Sequence, residues 1–133
     1  MACVQRHLVL LSGVFRIDHV SDETAVGGDD WVAQVRAPEG LTVIRKADSD
    51  ERWVGLYGDD AHDLDVTGML AALLGPLADA DISVFVDSTF HSDLVLVPEA
   101  QKATAVSVLE AAGHTVREAD QSGDRANARI DGI

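Results

Sequence analysis

Asp93, Thr89 and Gly68 are the residues whose types and spacing suit them to chemistry, and that chemistry is recognition rather than bond making. An aspartate is ionised at neutral pH and accepts hydrogen bonds through both oxygens, so Asp93 is a natural partner for an ammonium group. Thr89, four residues earlier, adds a hydroxyl or a backbone acceptor. Gly68 stands at the head of an apolar stretch of helical period. Free amides in a helix's first turn favour an anion, and a residue without Cβ lets a carboxylate come close. One zwitterion would satisfy both ends. The same residues also have a plainer use: Asp93 can cap its own turn, Thr89 can end a strand, and Gly68 can let a helix start pack closely.

The stretch from Asp65 to Val97 must position them. Val66, Met69, Leu70, Leu73, Leu74 and Leu77 recur at helical spacing. Asp65 is the expected N-cap, Pro76 should kink the helix near Gly75, and the helix should end near Ala80. Ile82, Val84 and Val86 then alternate with Ser83, Phe85 and Asp87, predicting a strand over Ile82 to Ser88. A short polar connection, Ser88 to Ser92, leads into a second strand, Asp93 to Val97. A helix packed antiparallel on a strand begins where that strand ends. The helix's first turn and the loop after the first strand therefore share one edge of the sheet, and a small-molecule site is expected there.

The flanking elements complete the pattern. His7 to Ile17 is rich in branched apolar residues and reads as a strand with a bulge or close approach at Gly13. Residues 18–30 read as a loop. Trp31 to Arg36 and Leu41 to Arg45 flank the turn-forming Ala-Pro-Glu-Gly of residues 37–40, and Arg52 to Tyr57 is a further strand. Pro98 suits the first position of a second helix, which Gly113 ends, and His114 to Glu118 is a last short strand. Residues 52–118 thus run strand, helix, strand, strand, helix, strand, the order of a split β-α-β unit. Residues 1–51 read as a shortened copy of the same half, and residues 119–133 as a polar C-terminal extension. The expected class is α+β: two ferredoxin-like (βαββαβ) halves in one compact unit, with helices packed on an antiparallel sheet.

Composition narrows the function. A chain of 133 residues builds one ordinary core. Its formal charge of −13 and lack of a dense basic patch disfavour nucleic acid and anionic lipid as partners. No run approaches the 18 or so apolar residues of a membrane span, and the apolar run His7 to Phe15 lacks the charged leader and cleavage site of a secretory signal. The single cysteine, Cys3, fits a reducing cytoplasmic setting. The usual phosphate, acyl-transfer and zinc motifs are absent, so no enzyme activity and no cofactor are expected. Asp59, Asp60, His62, Asp63 and Asp65 form the best metal candidate, but without the glycine and glutamate positions of an EF-hand they read as a solvated acidic loop. His91 beside Asp93 has no nucleophile next to it.

Gly68 to Val97, GMLAALLGPLADADISVFVDSTFHSDLVLV, resembles the signature of small bacterial tandem ACT-domain proteins, relatives of aspartate kinase regulatory regions and of the animal CASTOR arginine sensors. The matching positions are Gly68, Leu70, Ala71, Pro76, Leu77, Ala78, Ile82, Ser83, Ser88, Thr89, Phe90 and Asp93. The resemblance implies a non-catalytic, regulatory module that binds a free amino acid between ACT-like halves, commonly as a homodimer acting on a protein partner. By motif match the ligand's carboxylate would meet the amides around Thr67 and Gly68. Its amino group would meet Thr89, Phe90 and Asp93. Where the arginine sensors carry a glutamate just before the position of Thr67, this chain has Val66, which argues against arginine as the ligand.

Overall fold

The runs Leu8 to Leu11 and Leu94 to Val97 are apolar at consecutive positions, the pattern of strands covered on both faces rather than one. Both lie inside a single sheet in the computed structural model, which describes residues 4–21, 31–47, 51–60 and 67–119. The elements are β1 (His7–Leu10), β2 (Phe15–Val20), β3 (Trp31–Ala37), β4 (Gly40–Lys46), β5 (Trp53–Gly58), α1 (Ala71–Asp79), β6 (Phe85–Ser88), β7 (Asp93–Pro98), α2 (Lys102–Ala111) and β8 (Thr115–Glu118), with a 3-10 turn at Glu99–Gln101 leading into α2.

The central strip has the order β6-β7-β5-β1-β8, antiparallel throughout except for the parallel pair β1 and β8. The N-terminal strand therefore stands between β5 and β8, inside the sheet formed by residues 52–118. After a bend at Ser12 and Gly13 the chain continues as β2, which meets β5 only at Phe15 opposite Trp53 and pairs along its length with β4. The β3–β4 hairpin turns at Pro38 and Glu39, as the sequence requires. Residues 1–51 supply β1 to β4 and, among the described residues, no helix.

Alternate residues of each central strand face opposite cores. Leu8, Leu10, Val54, Leu56, Val95 and Val97 meet Leu73 and Leu77 of α1 and Ala105 and Leu109 of α2. Val9, Leu11, Leu94 and Leu96 face the other way, against Phe15, Ile44 and Val32 of β2, β4 and β3. The outer strands thus fold over the helix-free face.

Packing, not intrinsic propensity, holds α1. Gly75 and Pro76 lie within it and cost about 1 and about 3 kcal/mol in a helix interior, while Leu73 and Leu77, at 2% and 0% exposure, each return about 1.5–3 kcal/mol. The helix begins at Ala71, after a turn from Gly68 in which the Ala72 amide donates to the Gly68 carbonyl. The expected cap, Asp65, lies outside the described residues. Pro76 has no N–H to offer the Ala72 carbonyl. His114 serves it instead: Nε2 donates to Ala72 O at 2.9 Å, while Nδ1 accepts the Arg6 amide at 2.9 Å. These two bonds fix the tautomer and tie the segment between α2 and β8, together with the residue before β1, to the first turn of α1.

Both helices end the same way. At α2, Gly113 (φ +101°) donates to Glu110 O and His114 to Leu109 O. At α1, Asp81 takes the equivalent left-handed position (φ +58°), with Asp81 N to Ala78 O and Ile82 N to Leu77 O. Ile82 is therefore spent on closing the helix, and the strand expected from Ile82 starts only at Phe85, leaving Val84 37% exposed.

A non-glycine residue costs roughly 1–2 kcal/mol in this backbone region, a cost aspartate partly relieves, and glycine's extra freedom in the unfolded chain takes back part of the difference. Asp81→Gly should raise stability by about 0.5 kcal/mol, readable as a higher urea midpoint at unchanged slope.

Candidate functional site

Arg6 precedes β1 and is completely buried. A guanidinium carries five N–H donors, and a buried one must place them all. Nε and Nη2 donate to the two oxygens of Asp60, each at 3.0 Å, a bidentate pair. Nη1 donates to Met69 O at 2.7 Å and to Asp93 Oδ2 at 3.4 Å, and Nη2 also donates to Ser92 Oγ at 3.3 Å. One side chain thereby ties the end of β5, the approach to α1 and the start of β7 to the N-terminal strand. Gly58, paired with Leu8, is what makes room for it: a Cβ there would overlap Ser92 Oγ and Arg6 Nη2.

Asp60 also accepts the His7 amide at 3.0 Å. Burial pushes its carboxyl pKa up, but the hydrogen bonds from Arg6 and the His7 amide, with the Arg6 charge, outweigh that and hold it below the usual carboxylate range. Its neighbour Asp59 accepts from Arg117 at 3.0 Å. The acidic run after β5 is thus partly an arginine-binding element. His62, Asp63 and Asp65 lie outside the described residues, and among the described residues no three His, Cys, Asp or Glu side chains are placed to hold a metal.

The residues singled out by sequence fall into three settings. Asp93 is 6% exposed, with Oδ2 facing Arg6 and Oδ1 accepting from Ser88 Oγ at 3.1 Å. Thr89 organises the β6–β7 turn: its Oγ1 receives the amides of His91 and Ser92 at 3.3 and 3.0 Å, donates to Ser92 O at 3.2 Å and lies 3.0 Å from Tyr57 OH. Phe90, at the tip, is 72% exposed and lies edge-to-face with His91, with ring centroids 5.0 Å apart. Thr67 and Gly68 are exposed on the approach to α1. Gly68 has φ +83°, and a Cβ there would meet nothing within 4 Å, so glycine is demanded by the backbone and the space before it is open.

The approach to α1 and the Ser92–Asp93 corner are brought together, because Arg6 Nη1 bonds to both Met69 and Asp93. Thr89 and Phe90 lie on the turn beyond. Sequence reasoning missed Arg6, Ser92 and Gly58, and it read Asp60 as part of a solvated acidic loop where the structure pairs it with Arg6. The available signal was an arginine directly before an apolar strand, a position with no reason to carry charge unless the charge is bound.

A depressed carboxyl pKa adds stability that is fully present above the unfolded value of about 3.9 and is lost as pH falls through the folded value. Asp60→Asn should therefore unfold at a lower temperature than the parent protein at pH 7. The gap should narrow steadily below about pH 4 in a series of melts.

Residues 48–111 match the family model described as the ACT domain, a span running from just before β5 to the end of α2. No curated protein matches the chain. Among solved structures, the chain is similar to a protein from Agobacterium tumefaciens at 23% identity, with TM-score 0.78 over 89% of this chain and 96% of that one. It is also similar to a protein of unknown function from Vibrio cholerae, described as a possible transport protein, at 22% identity and TM-score 0.65 over 77% of this chain and 85% of that one. At these identities the two structures speak for the fold alone. The match over residues 48–111 supports an ACT-domain protein of mixed α+β architecture.

Proposed function

We propose that this chain is a regulatory, non-catalytic module whose ligand is a free amino acid bound at the sheet edge. The observation that carries the reading is a juxtaposition: Arg6 Nη1 bonds to both Met69 O and Asp93 Oδ2, so the open approach to α1 at Gly68 stands beside the Ser92–Asp93 corner. The two offer acceptors for an ammonium and amides for a carboxylate at one sheet edge. The ammonium would meet the Asp93 corner and the Thr89 and Phe90 segment. The amides of Thr67 and Gly68, before the open space at Gly68, would take the carboxylate. The ACT-domain match agrees, since such domains generally serve regulatory, ligand-binding roles.

In this reading residues 52–118 form the ACT-like half and residues 1–51 a shortened companion that contributes β1 to its sheet. The working form is a cytoplasmic homodimer that passes the ligand signal to a protein partner through differential affinity of two states. Among the described residues no helix is long and apolar enough to cross a membrane.

One observation favours a second reading. Phe90 is a large apolar side chain at 72% exposure on a turn tip, as suits an anchor for a protein partner with no small ligand involved.

Melting temperature across the twenty amino acids separates the two. A ligand at about 100 times its Kd adds about 2.7 kcal/mol, so a restricted set should raise the midpoint by roughly 5–10 °C. Thr89→Val should abolish the rise and Thr89→Ser should keep it. A flat panel would leave the interaction module as the better account.

A further inference from the structure

At the other end of β5, about 13 Å from the Arg6 network along the strand, lies a cleft of about 360 Å³ over Leu10, Leu11 and Val54. A second cavity of about 360 Å³ adjoins it beside α2, and the two share Leu10, Lys102 and Glu118. The floor of the first is apolar, with Leu10, Leu11 and Val54 at 6%, 3% and 4% exposure.

The charges on its rim fall into two groups. Arg52 and Glu99 satisfy each other through Nε to Oε1 and Nη2 to Oε2, and that pairing holds the Glu99 carboxyl below its usual range. Lys102 and Glu118 are different: among the described residues neither side chain has a hydrogen bond or an ion pair, although the Lys102 charge is felt at Glu99. The cleft thus offers one unpaired cation and one unpaired carboxylate above an apolar floor. An anion alone would meet two glutamates on the rim and a chain of net charge −13. A cation alone would leave Lys102 unanswered.

We propose that this cleft is a binding site for an apolar zwitterion, its carboxylate on Lys102, its ammonium on Glu118 and its side chain on Leu10, Leu11 and Val54. The volume lies at the lower end of small-molecule sites, which suits a ligand of a few heavy atoms. The site goes beyond the reading of the sheet edge above, and it stands or falls independently of that reading.

The test is a titration of methyl-labelled protein, followed by NMR, with L-leucine, L-methionine and L-phenylalanine. Leucine's two halves, 4-methylpentanoate and 3-methylbutylamine, serve as controls. At least one amino acid should shift the Leu10, Leu11 and Val54 methyls saturably, with each half-ligand weaker by about tenfold. Lys102→Ala and Glu118→Gln, both at the rim, should each weaken binding by about tenfold while moving the melting temperature by no more than about 2 °C. Thr89→Val should leave these shifts unchanged. Still methyls with all three amino acids, equal binding of a half-ligand, or shifts insensitive to Lys102→Ala would overturn the proposal. Shifts confined to the region of Thr89 would do so too, while supporting the sheet-edge site.

Discussion

A guanidinium taken wholly out of water is the constraint around which this molecule is arranged. The desolvation of such a group costs several kcal/mol and is recovered only if every donor finds an acceptor of good geometry. Arg6 meets that requirement with partners from three places distant in sequence: Asp60, Met69, and the Ser92–Asp93 corner. The result is positional. The end of β5, the approach to α1 and the first residues of β7 are held at one point, which gives the polar edge of the sheet a defined shape.

The rest of the architecture brings Arg6 to that point. β1 sits between β5 and β8, so the residue before it emerges at the sheet end where β5 finishes and β7 begins. Both faces of β1 are covered, by the helices on one side and by β2 to β4 on the other, which fixes its register against slipping. Gly58 leaves the space, and His114 holds the Arg6 amide from the opposite side while repairing the bond that Pro76 removes from α1. Local irregularities of the helix and the buried charge thus share a support.

Much of the local structure was legible in the sequence for physical reasons. Ala-Pro-Glu-Gly forces the β3–β4 turn, Pro98 and Gly113 bracket the second helix, and the polar Ser88–Ser92 segment marks the β6–β7 connection. The boundaries that failed did so where one residue serves two elements: Ile82 has strand character but closes α1, and Val84 keeps the alternation without being in the ladder. Long-range facts were not legible. Nothing local tells that β1 inserts between β5 and β8, or that Asp60 and Asp93, which look like loop and turn aspartates, converge on an arginine more than fifty residues away. Thr89 offers a hydroxyl or a strand end by residue type alone, and only the fold shows that its hydroxyl organises the β6–β7 turn.

The central claim is that the Arg6 guanidinium is dry, fixed and fully bonded, and its own NMR signals report this most directly. In a nitrogen-15 spectrum at neutral pH, the account predicts separate, slowly exchanging Nε and Nη proton resonances for Arg6, with couplings across the hydrogen bonds to Asp60. A single averaged Nη signal exchanging with water as fast as that of a surface arginine would contradict it.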